Sequence, residues 1–479
     1  MTAGRSTSCA SGTMHRNSGT TTSDCQYLNA ADRLMLVAHK GMRGIDHAGF
    51  LSQTHVWLRG RLDPACLKLA LARLHTAYPV VTARLDDPGG RAVPCWRHRP
   101  EARPVLHEST LLSADDAPVL HSAERLFEQP LDHDRDDPLT FHLLHLPDGR
   151  DVFLLRFSHV LMDGKAPEYV LKEINRLFQE GESEDRDPHR CELRAKDADG
   201  LHSVGCTVIA GDEMQAHLLR FDRKRRVRAA LRVVRSHIRW PQRPAILTPR
   251  ELDEWLVRPY GIALRQLTVE QTDALLERAK GLLGFANPTP LILAAAFRAV
   301  ARHAPLATNS RTIFQTDLPL NLRPPGRMEP IFRNFMSFIQ IRARADELNS
   351  FEAAARLLNT RMRDQLRSAI DLGNLQMMHL MAPHARLLHR HILTQMKNQP
   401  FTLGFGFLGP TTAGLEHFCG QEVDRLYSLN SAISPPGTTL QAIQFRGRLN
   451  LMLTFIESAV PRPTADLFLD RAMEDLIQA

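Results

Sequence analysis

The sequence predicts a mixed α/β protein, in the α+β sense of sheets with helices packed on them, divided into two lobes. Three observations predict it. The chain has 479 residues, 43% hydrophobic and 24% charged, which is ordinary globular composition and enough for more than one core. Residues 152–178 read in succession as a buried strand, a tight turn and an amphipathic helix. Residues 181–199, GESEDRDPHRCELRAKDAD, are charged and nearly free of large apolar side chains, which marks a surface crossing between two packed regions. The division that follows is a disordered tail at 1–25, rich in Ser, Thr and Gly, a first lobe at 26–200, a basic crossing at 201–250 and a second lobe at 251–479.

The elements follow in order. The fold starts near Leu28, and Thr54 to Leu58 alternates polar and apolar residues as a strand does. Asp63 caps a helix that has Pro64 at its first position and Leu67, Leu71 and Leu74 on its buried face. Val152, Phe153, Leu154, Leu155 and Phe157 form a run too short for a helix and suited to a strand covered on both faces. This strand delivers His159 at its end. Asp163-Gly164 then suits a tight turn, and Leu171, Ile174, Leu177 and Phe178 recur at helical spacing. Further on, ten arginines and lysines between Arg220 and Arg243 surround Val227, Leu231, Val234 and Ile238, a basic amphipathic helix. Its apolar stripe has three readings: the packed side of a linker helix, a contact with an anionic membrane surface, or a contact with an acidic donor such as coenzyme A or an acyl carrier protein. Ile262 to Leu267 reads as a strand, Thr268 with Gln271 as a capping box for a helix to Lys280, and Thr289-Pro290 as the start of a helix buried through Leu293, Phe297 and Val300. Gly447 to Phe455 alternates as a half-buried strand, and Thr464 caps a closing helix carrying Leu467, Met473, Leu476 and Ile477.

Several function classes are set aside. No apolar stretch approaches a bilayer span and the opening residues have no hydrophobic leader region, so neither secretion nor membrane spanning is expected. Seven cysteines without a C-x-x-C pair suggest neither a disulfide framework nor a zinc knuckle, and point to a reducing cytoplasm. The net charge of +7 comes with no nucleic-acid recognition module and only 6% aromatics, so no nucleic-acid partner is expected. No phosphate loop or dinucleotide fingerprint gives ATP or NAD a footing. His379, His384, His389 and His391 lie among Met377, Met378 and Met381 without the spacing of a metal site, and read as a helical core or pocket wall; no metal is expected.

The segment Ser158-His159-Val160-Leu161-Met162-Asp163-Gly164 resembles the HHxxxDG motif of the condensation-domain and acyl-CoA-dependent acyltransferase superfamily, whose fold is chloramphenicol acetyltransferase-like. Other segments resemble steps of that superfamily in the same order: Leu28 to Asp32, Leu62-Asp63-Pro64 through Tyr78-Pro79 to Ala83-Arg84, Asn287 to Pro290, Leu318 to Arg323, Arg333-Asn334-Phe335, and Phe405 to Pro410. The likeness spans roughly residues 26–479, with Ser158 standing where the pattern has its first histidine. The wax ester synthase and diacylglycerol acyltransferase branch is one placement it admits.

The resemblance implies two chloramphenicol acetyltransferase-like lobes, each a mixed sheet with flanking helices, and an active-site tunnel between them. It implies transfer of an acyl group from acyl-CoA or an acyl carrier protein to a hydroxyl or amine on a small-molecule or lipid acceptor. Coenzyme A or phosphopantetheine would then be part of a substrate, with no bound cofactor. His159 becomes the general base, a task suited to imidazole because its ordinary pKa of about 6.5 leaves much of it neutral at pH 7. Asp163 is implied to turn away from substrate and pair with Arg323. Gly164 would let the backbone turn close to the histidine and aim an N–H at an oxyanion. Asn334 supports a strand connection, and Ser158, Gly406 and Phe407 are candidate pocket residues. The alternative is a condensation-like module that no longer catalyses and docks carrier proteins or biosynthetic enzymes. Either way the expected location is the cytoplasm, with peripheral membrane association as an extension of the basic helix.

Overall fold

The computed structural model describes residues 25–44, 48–89, 92–185, 213–238, 244–247, 259–303, 312–384, 401–411, 413–433 and 436–478. The expected disordered tail therefore lies, Cys25 apart, outside the described residues, as do the charged stretch beyond Asp185, Arg239, Arg243, His389 and His391.

A six-stranded sheet carries the motif. Its order is β12 (His417–Phe418), β13 (Gln421–Asn430), β2 (Leu51–Leu58), β7 (Asp151–Ser158), β6 (Leu139–His145) and β5 (Leu106–Thr110), antiparallel throughout except for β5 beside β6. Every residue of β7 is buried, which is why its sequence is a continuous apolar run and not an alternating one. β2 is likewise buried along its whole length, so the polar residues of its alternation do not face water. Helices Pro64–Ala77 and Ala166–Asp185 lie together on this sheet, Arg73 Nη1 donating to Leu177 O at 3.1 Å. The first begins as its sequence dictates, Asp63 Oδ1 accepting from Ala65 N at 2.8 Å with Leu67, Leu71 and Leu74 buried. A small antiparallel sheet of β1 (Cys25–Tyr27), β4 (Cys95–Arg97) and β3 (Arg84–Asp86) sits beside it.

The second sheet has the order β11 (Gly404–Pro410), β14 (Thr438–Phe445), β15 (Arg448–Ile456) and β8 (Tyr260–Gln266), with β11 parallel to β14. An antiparallel pair, β9 (Ile313–Asn321) and β10 (Met336–Arg344), continues it: Thr402 N donates to Gln315 O at 2.7 Å and Thr316 Oγ1 to Leu403 O at 2.8 Å, just ahead of β11. The other edge, β8, is closed by helix Asp116–Glu128, whose Glu128 and Glu124 carboxylates accept from Tyr260 N and Ile262 N at 3.0 and 2.9 Å. Strands β12 and β13 come from within the predicted second lobe yet pair into the sheet of the first, so the chain crosses back before finishing its own sheet.

Three expectations are corrected. β15 is buried on both faces apart from Arg448, because it is a central strand whose polar side is covered too; Thr454 Oγ1 donates to Asn430 O at 2.6 Å. The closing helix runs Arg462–Ile477 with Pro461 as its cap, not Thr464, and it buries Phe468, Leu469, Met473 and Leu476 while Leu467 and Ile477 face solvent. The basic helix, Arg223–Ile238, does not pack through its aliphatic stripe: it buries Ala229, Ala230 and Val233 and leaves Val227, Leu231 and Val234 exposed. Its neighbour is helix Ile370–Met381, where a Cβ on Gly373 would fall 2.5 Å from Ala229 O, so the two helices touch backbone to backbone and only small residues fit between them. The second, smaller apolar cluster forms here, joining Ala229 to Leu372, Leu375, Met378, Met214, Leu218 and Phe335.

Candidate active site

Strand β7 ends at Ser158 and the chain turns through His159, Val160 and Leu161, the Leu161 N–H closing onto Ser158 O at 3.0 Å. The His159 N–H donates to Phe50 O at 3.0 Å, at the start of β2, and the Phe50 ring stacks on the imidazole with centroids 4.5 Å apart and planes 18° from parallel. From the other side comes Asn334, whose Nδ2 donates to His159 O at 2.8 Å and Val160 O at 3.4 Å. Asn334 is itself held by Asp32, whose Oδ1 accepts from its N and Nδ2 at 2.8 and 3.0 Å. Burial pushes the Asp32 carboxyl up to about 6, against the pull of Arg333 and Asn334, so it remains mostly ionised at neutral pH.

Asp163 and Arg323 meet. Arg323 Nη1 donates to Asp163 Oδ2 at 2.7 Å, and the same oxygen accepts from Phe335 N at 2.9 Å. The other oxygen accepts from Lys165 N and Ala166 N at 3.1 and 3.3 Å, at the entry to helix Ala166–Asp185. Arg323 spends its remaining donors on Pro330 O, Arg333 O and Asn321 Oδ1. Both side chains are buried, so the pair ties the turn to the 323–335 segment and neither group is free for proton transfer.

Only 6% of His159 is exposed, and its Nδ1 is enclosed without a hydrogen-bond partner. Burial lowers its pKa below the usual imidazole value, while its own carbonyl, the Asp163 charge and the Asn334 amide pull weakly the other way. The ring is therefore neutral at pH 7, the form in which it can accept a proton.

Ser158 points into the lobe, fully buried, with Oγ 2.7 Å from His133 Nε2 and accepting from Val160 N at 3.2 Å. It braces the turn from behind. His133 is wedged between the His39 ring at 4.1 Å and the Trp96 ring at 5.4 Å, and burial, aided by His39, Lys40 and Arg43, drives its pKa far down and keeps it neutral.

Strand β11 reaches the turn at Gly164, where an added Cβ would meet Leu408 Cδ2 at 3.2 Å, and Lys165 Nζ donates to Leu408 O and Pro410 O at 3.2 Å each. Gly164 thus serves a close approach between the two sheets. Of the alternating glycines in β11, Gly404 must be bare because a Cβ would fall 2.6 Å from Thr439 Oγ1, whereas at Gly406 the nearest atom, Gln441 Nε2, lies at 3.6 Å. Gln441 Oε1 is enclosed without a partner, and Phe407 is half-buried. Sequence reasoning did not assign roles to Phe50, Asp32, His133 or Gln441. Only Asp32 carried a signal, as the last residue of the opening segment that resembles the superfamily.

No family model and no curated protein matches the chain. Solved structures do. The first condensation domain of the CDA synthetase superposes with a TM-score of 0.67 at 16% identity, over 95% of this chain and 96% of that one. The TRI3 trichothecene 15-O-acetyltransferase from Fusarium sporotrichioides gives 0.65 at 12% identity, over 95% of each chain. The EpoB cyclization-docking bidomain from Sorangium cellulosum gives 0.65 at 15%, over 95% of this chain and 85% of that one. The fold is the condensation-domain, chloramphenicol acetyltransferase-like fold. A two-lobed architecture with mixed sheets and flanking helices goes with it, and the likeness extends through both lobes because the coverage is nearly complete on both sides.

Proposed function

We propose that this chain transfers an acyl group from a thioester to a hydroxyl or amine, with His159 as general base. The observation that carries this reading is the imidazole: it stands at the end of a buried strand, is kept neutral by its surroundings, and has its backbone fixed from Phe50 and Asn334. Nδ1 is enclosed, so Nε2 is the nitrogen assigned to meet substrate. The acceptor O–H or N–H gives its proton to Nε2 as its heteroatom bonds to the thioester carbon. The tetrahedral intermediate then breaks its C–S bond, and the imidazolium returns the proton to the departing thiolate. Gly164 N–H is the proposed oxyanion contact, and Gly406 and Phe407 line the pocket. The donor is acyl-CoA or an acyl carrier protein bearing phosphopantetheine, the acceptor a small molecule or a lipid; the wax ester and diacylglycerol branch remains the reading for a lipid acceptor. The proposed route to the ring is the seam where Leu408 meets Gly164, and a ring 6% exposed requires that seam to open. Among the described residues no helix is long and apolar enough to cross a membrane, and a cytoplasmic enzyme resting on a membrane surface fits the basic helix.

The test is thiol release from a panel of acyl-CoAs and acylated carrier proteins, with wild type and His159→Ala. A base so placed is worth roughly 10² to 10⁴-fold, so the variant loses that factor while melting near wild type. Turnover retained by the variant ends the proposal.

A non-catalytic docking module is the second reading, and two observations favour it: the near-complete burial of the ring and the serine at 158. It predicts no thiol release by the wild type together with stable binding of a carrier protein.

A further inference from the structure

We infer that the basic helix Arg223–Ile238 is a platform for an anionic lipid surface. Val227, Leu231 and Val234 are 47%, 51% and 41% exposed, and they fall at i, i+4 and i+7, which places them on one face of a helix. At about 100° per residue, Lys224, Arg228 and Arg235 line one side of that stripe and Arg223 the other, all of them exposed. Nothing on the helix offsets this charge, since its sequence RKRRVRAALRVVRSHI contains no acidic residue. Among the described residues the partners of its arginines are neutral: Arg226 bonds Gln376 Oε1 at 3.2 Å and Arg232 bonds Ser368 O at 2.8 Å.

The orientation is fixed. The Ala229 carbonyl oxygen lies 2.5 Å from where a Cβ on Gly373 would sit, so turning the helix to bury Leu231 would drive a branched side chain into a backbone contact. The stripe is thus held outward by the packing behind it, although aliphatic side chains on a cationic helix would otherwise be the first to seek cover. Leu219, at the end of the preceding helix, is 58% exposed, and Leu380, one turn beyond the Gln376 that holds Arg226, is 55% exposed.

The occupant follows from the chemistry of the face. Among the described residues the stripe is aliphatic and carries no aromatic side chain, whereas protein partners are gripped by aromatic and arginine anchors seated in pockets. Lipid demands no matching shape: valine and leucine enter the acyl boundary while lysine and arginine stems lie along it and reach headgroup phosphates. A surface rich in anionic headgroups satisfies the stripe and the charge together.

The experiment sediments the full chain with vesicles of phosphatidylcholine, or of phosphatidylcholine mixed with phosphatidylserine, at low and high NaCl. Binding is expected to the mixed vesicles only and to fall with salt. Arg228→Glu and Arg235→Glu each weaken it by roughly ten-fold or more, Leu231→Glu abolishes it, and all three melt like wild type because the positions are exposed. The inference is overturned if wild type ignores the mixed vesicles, or if Leu231→Glu binds them unchanged. It is also overturned if a purified phosphopantetheinylated carrier protein binds through Arg228 and Arg235 while vesicles do not. None of these residues touches the His159 turn, so acyl transfer stands or falls separately.

Discussion

The turn at His159 and the helix Arg223–Ile238 are built in opposite ways. The turn is bonded to side chains or carbonyls from three distant segments, at Phe50, at His133 and at Arg323 with Asn334, and its polar groups are nearly all paired. The helix leans on a neighbour through alanines, a valine and a glycine, and apart from Arg226 and Arg232, which reach back to it, the long side chains between Arg223 and Arg235 face solvent. A position in the first should answer for fold as well as chemistry, and a position in the second for binding alone.

Arg323→Met puts the largest stress on this contrast. It leaves the buried Asp163 carboxylate without its charge partner, and breaking such a pair costs about 3–5 kcal/mol, measurable as a lower urea midpoint. A loss under about 1 kcal/mol, the level of a surface pair, would mean that the turn is not held as the geometry indicates. Asn334→Ala comes next: two carbonyls of the turn and the Asp32 carboxylate lose donors, at a cost of about 2–3 kcal/mol. Ser158→Ala leaves His133 Nε2 buried and unpaired, for about 1–2 kcal/mol. Restoring the motif histidine as Ser158→His should crowd His133 in the wild type and be tolerated better beside His133→Ala, which melting of the single and double variants would show. At the other extreme, Leu231→Ala on the exposed helix should move stability by no more than about 0.5 kcal/mol.

The pH dependence sharpens the same contrast without changing the turn's own residues. A general base works when neutral, so activity falls as pH drops through its pKa. Because burial lowers the pKa of His159, the acid limb of thiol release should lie below the ordinary imidazole value of about 6.5. Phe50→Ala, which lets water onto the ring face, should move that limb upward. A limb already at the ordinary value in wild type would contradict the enclosed ring.

What could be read from the sequence was local or periodic. The strand of β7, the Asp63 and Thr268 caps and the helix after Asp163 follow from spacing within a few residues. The resemblance brought Arg323 to Asp163 across 160 positions, which no periodicity would have done. The remaining parts of the site were not legible: Phe50 and His133 reach the turn through tertiary packing that leaves no mark on their own neighbourhoods, and Asp32, although it lies in the opening segment, carried no hint that it holds Asn334. Alternation in β15 was read correctly as a strand and wrongly as half-buried, since a pattern of side chains does not reveal that a second layer covers the polar face. The basic helix is a different case: of the three readings its aliphatic stripe allowed, the packed side is the one the structure rules out, because close backbone contact at Gly373 selected the smaller residues.

The return of β13 into the first sheet has a consequence for anyone who divides this protein. A fragment ending near residue 250 would lack β12 and β13, and the backbone donors and acceptors of β2 that now pair with β13 would stand open along seven positions from Ser52 to Leu58. Unpaired edges of that length recruit other chains. The halves cannot be expected to survive as separate polypeptides, and coexpression of the two pieces is the form in which a split version should be attempted.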